Sequence, residues 1–250
     1  MRTRVRCLYF LLAALVGVSS AAASTVTINY SGVVDNLIDN GGFLAGISMG
    51  DPVTGTLTFT TTPSDQLPGP QLGLYAYWGA PAHVEVTVNG QTFANDFAAN
   101  TAWLTSLISG YLGLPPGMIN TGPVTAMVGD NIFFYSGFTD ALAVVGVGTP
   151  SSWGAAPPFL GIGGIAVVFA DFLPPLTMFV NDDLPEVVPL ENVNWAHGYI
   201  LSALPGAPYG YILGFQITSF EQPGTQIPEP GTFVLMAGGL AGLLYWRRRR

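Results

Sequence analysis

The stretch HVEVTVNGQTFAND, residues 83–96, predicts the fold class of this chain. Apolar and polar residues alternate on both sides of Asn89-Gly90, which is the dipeptide preferred in a two-residue type I′ hairpin turn. That turn sets the register and places Val86 opposite Phe93 on one face. The stretch therefore predicts an antiparallel hairpin with one face buried and the other exposed to solvent.

The same period-two alternation recurs on both sides of this hairpin. It predicts strands at Thr25–Gly32 and Gly55–Thr62, and the pattern of apolar runs predicts further strands at 131–138, 165–172, 176–180 and 211–220. The 32 Gly and 20 Pro residues are dispersed between these runs, as turns between short strands require. We therefore expect an all-β fold, an antiparallel β-sandwich or a jelly-roll-like body.

One helix is predicted in this body, at Asp96–Leu112. Asp96 is a suitable N-cap residue, and a helical period places five apolar residues on one face: Phe97, Leu104, Leu107, Ile108 and Tyr111.

The distribution of charge is unusual. All seven basic residues are arginines at the two ends, Arg2, Arg4 and Arg6 and then 247–250, whereas fourteen of the fifteen acidic residues lie within 24–226. An acidic domain without Lys or Arg repels nucleic acid and anionic lipid, so we expect no nucleic-acid partner. Its carboxylates must be solvated, accept hydrogen bonds from backbone N–H groups, or bind a cation.

The N-terminus has the pattern of a secretory signal peptide. Three arginines precede an apolar run, Cys7–Val18, and Ala21 and Ala23 occupy the A-x-A positions, so we predict removal of residues 1–23 by cleavage before Ser24. The alternative is an N-terminal membrane anchor, for which twelve apolar residues are short. Loss of Cys7 would leave the mature chain without a thiol.

The C-terminus predicts a transmembrane helix. Gly231–Trp246 is uncharged and would span about 24 Å as a helix. Arg247, Arg248, Arg249 and Arg250 suit the cytoplasmic side as a stop-transfer tail. Gly238 and Gly242 would give this helix one flat face for close packing against another membrane helix. An ordinary tail anchor is the alternative to a processed signal.

Pro228, Glu229 and Pro230, followed by the apolar segment and the arginines, resemble the PEP-CTERM sorting domain of exported proteins. The resemblance implies delivery by the export machinery, transient residence in the cytoplasmic membrane, and cleavage near the Pro-Glu-Pro motif by an exosortase-type membrane protease. It also implies an exopolysaccharide or biofilm setting, with the product at the cell surface or outside the cell. The expected organisation is a signal peptide at 1–23, an all-β extracytoplasmic domain at 24–226 and a sorting signal at 227–250.

Catalytic patterns in the body are weak. Residues 46–50 match G-x-S-x-G, and Asp182, Asp183 and His197 follow in the order of a serine hydrolase triad, but no helix is predicted directly after Ser48. We therefore expect Ser48 to be a loop residue. His83 is expected at a strand edge, and His197 is expected to be a buried or stacked ring.

The acidic segment 182–186 is the one candidate metal site. Asp182, Asp183 and Glu186 are hard oxygen ligands that could hold Ca²⁺, although their spacing is not that of an EF-hand. A solvated loop is the alternative interpretation, and we expect no other cofactor.

Three classes of function remain open for the body. The first is a non-catalytic structural or adhesive protein. The second is a glycan-binding module, because Trp78, Trp153, Trp195 and the tyrosines could stack on sugars, although the favoured interpretation is that these aromatic residues fill the core. The third is a secreted glycoside hydrolase or lyase, which needs two carboxylates at a defined separation in a cleft.

Overall fold

A computed structural model describes residues 24–39, 42, 44–67, 72–111, 113, 115, 117–130, 140–148, 163–172, 178–179, 181–204 and 207–223. Residues Thr25–Thr225 form one compact unit. Its strands, one α-helix and one 3-10 helix run in chain order as β1 (Thr25–Asp39), β2 (Pro52–Thr60), β3 (Leu72–Tyr77), β4 (His83–Val88), β5 (Gln91–Ala94), α1 (Ala102–Tyr111), β6 (Val124–Asp130), β7 (Asp140–Gly148), β8 (Gly163–Asp171), the 3-10 helix (Leu190–Asn192), β9 (Trp195–Leu204) and β10 (Ala207–Glu221).

The ten described strands form a single sheet in the order β3-β6-β7-β8-β9-β10-β1-β2-β4-β5, and every pairing is antiparallel. The sheet curls so that its β4–β5 end meets β7. The Asp96 backbone N–H donates to the Val147 carbonyl at 2.8 Å, and Gly146 of β7 lies against Val84 of β4. The all-β antiparallel prediction is thus confirmed, but one continuous curled sheet takes the place of the two separate sheets of a sandwich.

The hairpin at residues 83–96 forms as predicted. Asn89 and Gly90 have φ angles of 46° and 77°, the positive values that a type I′ turn requires at both central residues. Val86 pairs with Phe93, and both side chains are buried. The local pattern therefore determines the register of β4 and β5.

Four of the other predicted strands are present, with shifted bounds. β1 starts where predicted and runs to Asp39, β2 is displaced to Pro52–Thr60, and β8 and β10 contain most of the predicted runs at 165–172 and 211–220. The run at 131–138 lies outside the described residues. Of the run at 176–180 only Met178 and Phe179 are described, and neither is in a strand.

Two apolar cores lie on opposite faces of the sheet. The inner face encloses the larger core, which includes Phe59, Phe93, Phe169 and Phe215. Helix α1 covers the outer face of β3, β6, β7 and β8. The smaller core lies between the helix and these strands, and it includes Leu74, Leu104, Ile108, Met127, Ala143 and Val168. The outer face of β1 and β2 is instead rich in threonine and half exposed, and no helix among the described residues covers it.

Helix α1 begins six residues after its predicted start. The Asp96 carboxylate accepts from the Ala98 backbone N–H at 2.8 Å, so it caps a turn. The Asn100 side chain accepts from the Ala102 N–H at 3.0 Å at the true helix start. Leu104 and Ile108 are buried as predicted.

Among the described residues no helix is both long and apolar enough to cross a membrane. The predicted transmembrane segment at 231–246, with Gly238 and Gly242, and the predicted signal peptide at 1–23 lie outside the described residues. Both stay predictions.

Buried tyrosines should make the protein unfold in alkali. The hydroxyls of Tyr30 and Tyr77 donate to the carbonyls of Glu85 and Thr60 at 2.8 and 2.6 Å. Burial raises the pKa of both tyrosines far above the ordinary value of about 10, and the charge of Glu85 adds to the effect at Tyr30. A folded-state pKa above the unfolded value means that this stability is present below about pH 10 and is lost as the pH rises further.

We therefore expect the tyrosinate absorbance to rise in two stages, the second coinciding with loss of the far-ultraviolet circular dichroism of the sheet. The reference is the guanidinium-unfolded chain, in which all ten tyrosines should titrate together. A single smooth titration of all ten in a chain that keeps its native spectrum would contradict the prediction.

Candidate functional site

Three ring side chains stand at alternate positions on the outer face of β9, and we call Trp195, His197 and Tyr199 the β9 strip. The Trp195 and His197 rings are nearly parallel with centroids 5.5 Å apart, and the His197 and Tyr199 centroids are 4.4 Å apart. On β8 their cross-strand partners are small or branched aliphatic residues: Ala170, Val168 and Ala166. The alternation of β9 therefore gathers the three rings into one row.

His197 contacts an acid from a strand that is not its neighbour. The His197 Nε2 and the Asp35 Oδ2 lie 2.7 Å apart, although β10 separates β1 from β9. Asp35 lies at a register shift of β1, between Val34 and Asn36. Gly214 of β10 leaves the space between them free, since a Cβ there would lie 3.2 Å from Asp35 Oδ1 and 3.4 Å from His197 Cε1.

The geometry of this pair suits a structural tie better than proton transfer. The His197 side chain is 10% exposed, and its Nδ1 is buried without a hydrogen-bond partner. Nε2 donates to the Asp35 carboxylate, whose oxygens accept hydrogen bonds. A general base must reach a substrate proton within hydrogen-bond distance. Neither nitrogen of His197 is open to a substrate in this arrangement, so the pair joins β1 to β9.

The other residues of the triad pattern, Ser48, Asp182 and Asp183, have hydrogen-bond partners other than His197. The Ser48 backbone N–H donates to Asp51 Oδ2 at 2.8 Å within a turn, as expected of a loop residue. The Asp182 carbonyl accepts from the Tyr75 hydroxyl at 2.7 Å, and the Asp183 carboxylate accepts from Asn181 at 2.6 Å. The acid that His197 contacts is Asp35, which the sequence pattern missed.

The acidic residues at 182–186 do not come together as a metal site. Within the described ranges no group of three or more His, Cys, Asp or Glu side chains is arranged to hold a metal ion. The Glu186 carbonyl accepts from the Gln222 side chain at 3.3 Å, which ties this loop to the end of β10.

Buried carboxylates of the body are held by N–H donors, one of the three possibilities that the absence of Lys and Arg left open. Asp140 and Asp171 face each other across β7 and β8, and each is 4% exposed. Asp140 accepts from the Phe179 backbone N–H at 2.6 Å, and Asp171 accepts from the Asn194 side chain. Hydrogen bonds from N–H donors satisfy the oxygens of such buried groups without a salt bridge.

The three tryptophans considered as sugar platforms differ in environment. Trp78 is 58% exposed and follows β3 directly. Trp195 is half-buried on the β9 strip, where Phe172 packs against its edge at 5.4 Å. Trp153 lies outside the described residues. Of the two among these that are described, Trp78 is therefore the more exposed, and Trp195 packs against other rings and the smaller core.

The exposed pair His83–Glu85 offers a matched control for the Asp35–His197 pair. Its atoms are 3.3 Å apart, and the two side chains are 41% and 40% exposed. We expect Asp35→Asn to lower the free energy of unfolding by about 1 kcal/mol, a value reduced because Asp35 is itself 38% exposed. Glu85→Gln should change it by less than about 0.5 kcal/mol. Urea denaturation measures both, and equal effects would show that the Asp35–His197 pair adds nothing.

Comparison with known proteins gave one match. Residues 226–250 match the family model of the PEP-CTERM protein-sorting motif. No curated protein and no solved structure matched the chain. The resemblance of the C-terminus is thus confirmed: the chain carries a PEP-CTERM sorting motif, which indicates an exported protein. The motif lies outside the described residues, so the β9 strip and the sorting motif are two separate features of the chain.

Proposed function

We propose that this protein is a non-catalytic surface or extracellular-matrix protein of cells that produce exopolysaccharide, cleaved at Pro228–Pro230 by an exosortase-type membrane protease. The observation that carries the proposal is the sorting motif at residues 226–250. An exported protein with this motif needs the processing machinery as a partner, and it resides in the cytoplasmic membrane only until it is cleaved.

The residues of the motif suit this route physically. Pro228 and Pro230 lack the N–H that a helix or a sheet requires, so the sequence predicts an extended peptide before the apolar segment, open to a protease. The four terminal arginines favour the cytoplasmic side of the membrane. Cleavage between these parts frees the acidic body from its anchor.

The body supports a structural or adhesive role. Both nitrogens of His197 are inaccessible to a substrate, and the buried acids Asp140 and Asp171 are engaged by N–H donors. A secreted glycoside hydrolase or lyase would need two carboxylates facing a cleft. Asp140 and Asp171 face each other but are buried, so they give that alternative no support.

Intact-mass analysis of the protein recovered from the producing cell tests the proposal. We expect a chain that begins near Ser24 and ends near Pro228, in the surface or extracellular fraction. A strain without its exosortase is the control, and it should yield a chain that retains Arg250. If Arg250 remains in cells with an active exosortase, the segment is an ordinary anchor and the proposal is wrong.

A further inference from the structure

We infer that the exosortase-type protease cleaves this protein with its body already folded, and that Gln222 sets how much of the chain the protease can reach. Gln222 thereby becomes a positioning residue for the cleavage in the proposed function, on which the inference rests. The residues between it and the Pro-Glu-Pro motif, 223–227, are called the spacer.

The Gln222 side chain ties the end of the sheet to the loop before the 3-10 helix. Its Oε1 accepts from the Val188 backbone N–H at 3.0 Å, and its Nε2 donates to the Glu186 carbonyl at 3.3 Å. Val188 is 3% exposed and belongs to the larger core. Both ends of the amide are therefore engaged, and they hold the chain at Gln222 to a loop that is itself fixed in the core.

The end of β10 cannot easily supply more chain to a protease. The ladder between β10 and β1 continues to the pair Glu221–Asn29. Phe220 packs against the larger core, where its ring meets Phe169 edge to face with centroids 5.5 Å apart. Unpairing this end would break ladder hydrogen bonds and expose the Phe220 ring, so it costs far more free energy than the fraying of an unpacked terminus.

The chain between Gln222 and the motif is short. Pro228 follows Gln222 by six residues, which span at most about 20 Å even when fully extended. A protease must enclose several residues of extended peptide around the bond that it cleaves. The protease therefore works close to the surface of the folded body, and the spacer leaves little chain in reserve.

Acidic residues keep the body from compensating for a shorter spacer by lying on the membrane. Glu186 and Glu221, on either side of Gln222 in space and in sequence, are both exposed. No Lys or Arg occurs between Cys7 and Trp246 to offset their charge. Anionic lipid headgroups repel such a surface, so the length of the spacer decides whether the motif reaches a protease in the membrane.

Changing the spacer length of the full chain in the producing cell tests the inference. Deletion of residues 223–225 shortens the reach by about 10 Å and keeps the matched motif at 226–250 intact. We expect pulse-chase labelling with intact-mass analysis to show C-terminal cleavage slowed at least about tenfold. The control changes the same residues at constant length, Pro223→Gly, Gly224→Ser and Thr225→Gly, and should be cleaved at the parental rate. A deletion variant as fast as the parent, or a control as slow as the deletion variant, would overturn the inference, whereas an uncleaved parent would overturn the proposed function itself.

A second change assigns the limit to Gln222. Gln222→Ala frees the chain from the loop, so in the deletion background it should restore cleavage several-fold, and with the parental spacer it should leave cleavage unchanged. Hydrogen exchange of the Val188 amide should become faster, because this N–H loses its acceptor. Gln216→Ala, which removes an exposed amide elsewhere on β10, is the control and should restore nothing. Faster exchange at Val188 without recovery of cleavage would show that Gln222 does not set the limit.

Discussion

A single methyl group added at Gly198 will destabilise the protein by about 3 kcal/mol, because the inner face has no space for it. An alanine Cβ at this position would clash with three ring carbons of Phe215, because even the farthest of them would be only 2.8 Å away, closer than van der Waals contact allows. The Phe215 ring is fully buried and stacks on Tyr30 with centroids 6.2 Å apart. Tyr30 cannot retreat, since its hydroxyl is bonded to the Glu85 carbonyl and its ring lies against Gly55.

The cause can be separated from a general intolerance of β9 by a double-mutant cycle. Phe215→Leu alone should also destabilise the protein, but in the Gly198→Ala background it should restore part of the loss, because the two changes share one space. Gly110→Ala is the matched control: nothing lies within 4 Å of its added Cβ in α1, and alanine is the better helix former. Urea denaturation of the parent protein, the two single variants, the double variant and the control measures whether the two changes interact. Additive losses would exclude the proposed clash.

Sequence patterns predicted the parts of this sheet whose causes are local. The Asn89-Gly90 turn and the alternation around it fix the hairpin without help from the rest of the chain. β7 was missed because all nine of its residues are buried, on one side by the inner core and on the other by the core beneath α1. A strand covered on both faces loses its alternation. β8 has the same burial and was found only through its continuous apolar run.

The candidate site likewise has one part with a local cause, which the sequence predicted, and one part that depends on the assembled sheet, which it did not. The stacked environment of His197 was predicted, because aromatic residues surround it in the sequence, and it is confirmed. Its partner Asp35 is 162 residues away, and no spacing rule connects the two. Their contact depends on β10 lying between β1 and β9 and on Gly214 lacking a side chain. Both conditions are properties of the assembled sheet.

Replacing Pro228, Glu229 and Pro230 with alanine will abolish C-terminal processing. Two prolines disfavour a helix in this peptide, whereas alanine is the strongest helix former and would favour continuation of a helix from the predicted apolar segment into it. A protease that acts on an extended peptide would then lack its substrate conformation, and the Pro-Glu-Pro motif that it is proposed to recognise would be absent. We expect the variant to retain Arg250, to accumulate in the membrane fraction, and to fall at least about tenfold in the surface and extracellular fractions.

The matched control is Glu221→Ala with Pro223→Ala, which removes an acid and a proline a few residues earlier and leaves 228–230 intact. Cell fractionation with intact-mass analysis should show normal processing of this control. The Pro-Glu-Pro variant should keep the urea midpoint of the unprocessed parent chain, because the sheet ends at Glu221 and the replaced residues lie beyond it. Loss of processing with an unchanged midpoint can only come from the motif itself. Processing of the variant at the parental level would mean that the protease does not read residues 228–230, and the apolar segment with its arginines would then have to direct the protein alone.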